Sequence, residues 1–436
     1  MQKPSFFRSS SHAMVAGAAQ QGFALVHFLM VVRWLTPADV GAWAMFLTLT
    51  SFIEMGRLGL IQNSMVHYTT HNPDDRSCIA SAALVLSLGS SIIGALILLF
   101  LSYLLRGVFQ MPDLPMMMLG YVILTVLNAS LRFFDGWQMT RHNFKTSMLT
   151  ASIFGATYCL LTVFVKTYFN ILSTEILVLL QIPASITALL VILKRNIKQI
   201  KFAPLDRQWL KKLFNFGRYG LGSNLSSMLF QRVDILLLGA FMPPAAIAVY
   251  NVASRLISYI DFPLNMLGLV LLPKIATENR QGGTEGVIQL FEKSVAGLLA
   301  FTVPVTLLTI FGAKYLVILV AGRAFLDATI LVQILAFAGI VKPWGRLFGV
   351  TLDAVGKPEW NLKMLIFSMF VTILFNAILI PRFGTEGAAV ATTSAIFVTI
   401  GVGQILLRRW MNVDFKRTIY GVLPAYRMVF SKIKWA

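Results

Sequence analysis

The chain has 436 residues, of which 57% are hydrophobic and only 13% charged, and a mean hydropathy of +0.74. This is far from the roughly 45–50% apolar and 25% charged makeup of soluble domains, and it excludes a water-soluble fold. The net charge of +19 comes from 37 Lys+Arg against 18 Asp+Glu, and its spread over separate loops argues against a nucleic-acid-binding patch.

The apolar residues fall in blocks of about twenty, the length that carries a helix across a hydrocarbon core of about 30 Å. Twelve such blocks are predicted in chain order, near 13–33, 40–63, 79–105, 115–138, 147–168, 174–194, 214–240, 245–272, 292–312, 315–340, 343–379 and 386–409. A β-barrel is excluded, because barrel strands are short and alternate in polarity whereas these blocks are long and apolar on most faces. The expected fold is all-α: a polytopic membrane protein of about 12 transmembrane helices in two pseudo-symmetric six-helix bundles.

Seven basic residues from Lys194 to Lys212 crowd the middle loop, and Arg408, Arg409, Lys416, Arg417, Arg427, Lys432 and Lys434 fill the tail. Loops of opposite parity hold little beyond Arg33, Arg106, Lys166, Arg323 and Arg382. By the positive-inside rule both termini are expected in the cytoplasm, which agrees with an even helix count. Lys3 and Arg8 precede an apolar stretch long enough to span, so the first helix is read as a retained span and not as a cleaved signal. Cys78 and Cys159 are poorly placed for a disulfide and read as structural.

The two halves repeat. L-T-P-A-D-V-G-A-W at 35–43 resembles M-P-P-A-A-I-A-V-Y at 242–250, an offset of about 207 positions. The same offset sets His27 against Asp234, Gln20 against Ser227, Ser51 against Ser258 and Glu54 against Asp261. Expected domains are an N-terminal bundle at 1–200, a C-terminal bundle at 201–410 and a basic tail at 411–436. That tail, with its interleaved aromatic residues, reads either as an inner-leaflet surface segment or as a topological anchor.

Polar residues inside these blocks keep helical spacing. Asn224, Ser227, Gln231 and Asp234 share one face of the seventh helix, and Asn251, Arg255, Ser258, Asp261 and Asn265 share one face of the eighth. The second helix offers Ser51, Glu54, Arg57 and Ser64, the first Gln20 and His27. An ionisable group at mid-membrane costs about 2.5–3.5 kcal/mol, so these stripes are expected to line one central cavity. The alternative is that they glue helices together, through intramolecular pairs such as Glu54 with Arg57 or Arg232 with Asp234. Arg132, Asp135, Arg218, Lys342, Arg346 and Asp353 read as interfacial, near helix ends. No H-E-x-x-H, Walker-type loop, Cys/His metal spacing or G-x-S-x-G occurs, so neither enzymatic activity, cofactor nor metal is expected.

Several segments together resemble the polysaccharide transporters, which include the O-antigen and exopolysaccharide flippases and share a superfamily with multidrug-and-toxin extruders. They are L-T-P-A-D-V-G-A-W with M-G-R-L-G-L at 55–60, Q-R-V-D-I-L-L-L-G at 231–239 with Y-N-V-A-S-R-L at 250–256, P-K-I-A at 273–276, and A-V-G-K-P at 354–358 before I-P-R-F-G-T-E-G-A-A at 380–389. The resemblance runs from about residue 8 to 409 and implies a flippase for a polyprenyl-diphosphate-linked oligosaccharide in the cell inner membrane. Arg232, Asp234 and Arg255 match the family pattern. The second helix departs from it, with Glu54 and Arg57 where an aspartate or asparagine before G-L is usual.

The substrate-binding expectation is Arg57, Arg232, Arg255, Asn224, Gln231 and Asn251, since arginine's planar fork suits diphosphate oxygens. Glu54, Asp234, Asp261 and His27 are the expected positions for a coupling proton or sodium ion. Expected partners are the lipid-linked glycan, membrane lipids, and polysaccharide polymerase and chain-length proteins, with no nucleic acid. The rival readings are a multidrug-type cation antiporter and a non-transporting scaffold of polysaccharide assembly.

Overall fold

The computed structural model describes residues 6–104, 111–141, 143–196, 200, 202–281, 283–413 and 415–424. Helices dominate throughout. In chain order they are α1 (Phe6–Trp34), α2 (Pro37–Arg57), a π-helical turn (Leu58–Gln62) leading into α3 (Asn63–His71), α4 (Arg76–Leu104), α5 (Leu114–Thr140), α6 (Phe144–Phe169), α7 (Thr174–Asn196), α8 (Arg207–Phe241) and α9 (Pro244–Gln281). There follow α10 (Gly283–Ala321), α11 (Ala328–Phe337), α12 (Lys342–Ala354), α13 (Pro358–Met411) and the short α14 (Phe415–Tyr420).

Seven helical segments among the described residues are long and apolar enough to cross a membrane, and α11 with α12, bent by 49°, makes an eighth if taken as one broken span. The outer surfaces agree: Ile92, Ile93, Leu96 and Phe100 on α4, and Leu308, Phe311 and Leu319 on α10, are each 60–80% exposed. Rows of large exposed apolar side chains on whole helices are tolerated only where lipid covers them. The chain is an all-α polytopic membrane protein.

Three expected spans are redrawn. The boundary expected between 292–312 and 315–340 falls later: α10 runs unbroken from Gly283 to Ala321, Gly322 ends it at φ 84, and α11 starts at Ala328. The block at 343–379 is divided, because Gly356 at φ 77 stops the chain after α12 and Pro358 opens α13. Within α13, Gly384 at φ 57, ψ −132 breaks the rod beside Pro381, so each arm is long enough for a crossing of about 30 Å. Left-handed backbone of this kind suits glycine, and hydropathy averaged over a window does not register it.

The chain forms two compact units. The first comprises Met1–Arg232 with Pro243–Ala245, the second Val233–Met242 with Ala246–Ala436. In the first, α4 packs on α5, α1 on α6, and α7 on both α5 and α6. Its core gathers Ile61, Met65, Ile79, Phe133, Trp137, Trp209 and Leu213. Small hydroxyl residues let the helices approach: Ser87 Oγ donates to Ala129 O at 2.9 Å and Ser91 Oγ to Thr125 O at 3.2 Å, hydrogen bonds that hold α4 to α5 without relying on the hydrophobic effect. In the second unit α10 packs on α11 and α12, and α13 on α11 and α12, around Phe291, Val295, Leu298, Trp344, Leu347 and Leu407.

Candidate functional site

Thr36 starts α2 by accepting from Asp39 N at 3.3 Å, with Pro37 at the first helical position. The helix then carries Glu54 and Arg57 one turn apart into the interior of the first unit. Arg57 is only 3% exposed. Its Nη1 contacts Glu54 Oε1 at 2.9 Å and its Nε donates to Ser90 Oγ on α4 at 3.2 Å. Tyr121 on α5 donates to the same Glu54 oxygen at 3.1 Å, Asn128 Nδ2 donates to Tyr121 Oη at 3.0 Å, and Arg132 Nε stands 3.9 Å from Glu54 Oε2. Two cations and one phenol therefore converge on a single carboxylate. The Arg57 Nη2 is shielded from solvent and makes no hydrogen bond among the described residues.

Directly after Arg57 the helix widens into the π turn, a deviation often found at functional positions. Here α8 crosses backbone to backbone: a Cβ on Gly59 would run into the Gly220 carbonyl, and one on Gly217 into that of Leu60. Asn224 Nδ2 on α8 donates to Met55 O at 3.1 Å and secures the crossing. His27 on α1 is buried and stacks on Tyr158 of α6 with ring centroids 4.1 Å apart. Gln231 is exposed on α8, and Arg232, half-buried, is the last α8 residue of this unit.

The second unit holds two acids. Asp234 accepts from Ile235 N at 2.8 Å and from the fully buried Tyr250 Oη at 2.5 Å, and Tyr250 in turn lies 3.3 Å from Thr392 Oγ1. Asn251 is buried on α9 and Arg255 half-buried one turn on. Asp261, also on α9, forms an ion pair with Lys342. The side chain of Asn265 lies outside the described residues, as does the part of the basic tail beyond residue 424.

Of the pairs weighed from the sequence, Glu54 with Arg57 is formed, because three residues on a helix place the two groups on one face. Lys342 stands at a helix end as expected, the first residue of α12 after the break from α11, and its partner is 81 positions away. Tyr121, Asn128, Ser90, Tyr250 and Thr392 were not singled out by the sequence. A tyrosine in the middle of an apolar block was the available signal, since a phenol there needs a partner.

Charged groups paired within long apolar helices define a polytopic membrane protein with ion pairs inside its helix bundles. The fold is shared with an inward-facing multidrug resistance MATE family transporter of the MOP superfamily (TM-score 0.76, 14% identity, covering 92% of this chain and 98% of that one). It is also shared with the lipid II flippase MurJ in an inward closed conformation (TM-score 0.72, 13% identity, covering 96% and 91%). Residues 30–330 match the family described as polysaccharide biosynthesis protein, and the chain belongs to that family. Among curated relatives, the probable low-salt glycan biosynthesis flippase Agl15 of Haloferax volcanii is 20% identical over 51% of this chain and 47% of its own length. The chain spans between 24% and 54% of the length of the curated relatives it matches.

Proposed function

We propose that this chain moves a polyprenyl-diphosphate-linked oligosaccharide from the cytoplasmic to the outer leaflet of the inner membrane, by alternating access coupled to an ion gradient. The observation that carries this reading is Arg57. A guanidinium 3% exposed, inside a helix bundle and with Nη2 making no hydrogen bond to the described chain, keeps donors in reserve for an anion. Planar donor pairs suit diphosphate oxygens, and the other arginines of the expected set, Arg232 and Arg255, supply the same chemistry. Asn224, Gln231 and Asn251 contribute amides for the glycan. Glu54, Asp234, Asp261 and His27 are the positions for the coupling ion.

In this reading both termini are cytoplasmic, the protein performs no covalent chemistry, and polymerase and chain-length proteins act on its product. The test is delivery of a fluorescent lipid-linked glycan to the outer leaflet of reconstituted vesicles. Arg57→Ala and Arg255→Ala each abolish delivery while leaving the protein inserted. Wild-type delivery by both variants, or wild-type export of an amphipathic cation in place of the glycan, overturns the reading.

A further inference from the structure

Asp261 and Lys342 border a cavity of about 20 Å³ inside the second unit, room for one water or one small bare cation. The remaining wall is mainly apolar, with three hydroxyl residues from α10, Thr302, Thr306 and Thr309. Thr302 Oγ1 is shielded from solvent and makes no hydrogen bond among the described residues. One carboxylate, nearby hydroxyls and space for a single atom are the oxygen-donor set of a monovalent cation site. The cationic role is already taken, however, by the Lys342 ammonium. Lys342 reaches Asp261 from the 49° break between α11 and α12, on a flexible four-carbon stem that can swing away without moving either helix axis.

A second cation in this cavity would face that ammonium. At an effective dielectric of about 20, two unit charges about 4 Å apart repel enough to weaken binding about a thousandfold. A proton meets the same repulsion, but it takes up no room in the cavity and is held by an O–H bond, so it can join the carboxylate while the ammonium still fills the space that a sodium ion would need. We propose that Lys342 is a tethered cation filling the ion site of Asp261, so that the coupling ion taken up here is a proton and sodium enters only when Lys342 is removed. This rests on the ion-coupled reading above and specifies its ion.

The step balances simply. A proton from water on one side forms an O–H bond on Asp261, the ion pair breaks, and Lys342 keeps its single positive charge. When the proton leaves to water on the other side, the carboxylate is restored and recaptures the ammonium. Among the residues lining the cavity from α9, α10, α11 and α12, Asp261 and Lys342 are the titratable ones, while Arg255 and Tyr259 on α9 and Arg346 on α12 stand outside that lining.

The test uses the purified full-length protein in detergent, comparing thermal unfolding in sodium chloride and choline chloride. Saturating sodium raises the melting temperature of Lys342→Ala and of Lys342→Ser by about 3 °C, and leaves the wild type and Asp261→Asn/Lys342→Ala unmoved. Sodium stabilising the wild type in a manner lost in Asp261→Asn overturns the proposal, as does no response in either lysine variant. Should neither variant unfold cooperatively, infrared difference spectra of the wild type between acidic and alkaline buffer decide. A protonated-carboxyl band that Asp261→Asn removes is expected, and its absence from the wild type overturns the proposal. None of these readouts needs glycan transport, so a protein that responds as expected yet fails to flip lipid refutes the flippase reading alone.

Discussion

Glu54 and Asp261 stand at matching places in the two sequence repeats, yet the units treat them differently. Glu54 is held by Arg57 from its own helix, by Tyr121 and by Arg132, and the arginine that neutralises it is almost wholly buried. Asp261 has a single described partner, drawn from a helix break 81 positions away, and a cavity beside it. Arg57 is buried and bonded to Ser90 as well as to Glu54, so leaving its acid costs more than it costs a lysine that has a cavity beside it. The first arrangement holds a charge in place, and the second allows a charge to be exchanged.

The sharpest way to break that contrast is Glu54→Ala, which strands the Arg57 charge in the interior. It should cost about 3–5 kcal/mol, read as a fall in the unfolding midpoint in detergent. Gly217→Ala forces a methyl against the Leu60 carbonyl where α8 crosses the π turn, and should cost about 1–3 kcal/mol in the same assay. Tyr250→Phe removes a donor from Asp234 and should cost about 1.5 kcal/mol. Asp261→Asn should cost no more than about 1 kcal/mol, because Lys342 and Asp261 retain 19% and 26% side-chain exposure and a cavity with room for one water borders the pair. A cost for Asp261→Asn equal to that of Glu54→Ala would erase the distinction between the units.

The smallest effect concerns Asp113, exposed just ahead of α5 and outside the spans. Its partial burial, and then the carboxylates of Glu175 and Asp39, push its carboxyl above the usual aspartate value. A raised folded value means that the native state binds the proton more tightly than the unfolded chain. Stability therefore rises as pH falls through that raised value toward the ordinary one, and Asp113→Asn should flatten this slope in a pH series of melting curves.

Long apolar blocks, basic loops and helical spacing of polar residues were legible in the sequence, because each is a property of neighbouring residues. Against twelve expected spans, seven helical segments among the described residues, or eight with the bent pair, are long and apolar enough to cross a membrane, and the pairing of Glu54 with Arg57 followed from one helical turn. The misplaced boundaries share one cause, since Gly322 and Gly356 set breaks by backbone angle in stretches whose average hydropathy stays high.

Solvent preference and helical periodicity act over one or two turns, and by themselves they determined that this chain lives in lipid as a helical protein with polar stripes. Which group answers which charge was decided only by the tertiary structure. Lys342 meets Asp261, Tyr121 meets Glu54 and Tyr250 meets Asp234 across separate helices, at distances along the chain that no local pattern encodes. Partner choice in a bundle depends on helix crossings and breaks, and in this protein those are set by close glycine contacts and a bent span whose effects are felt far from the residues that cause them.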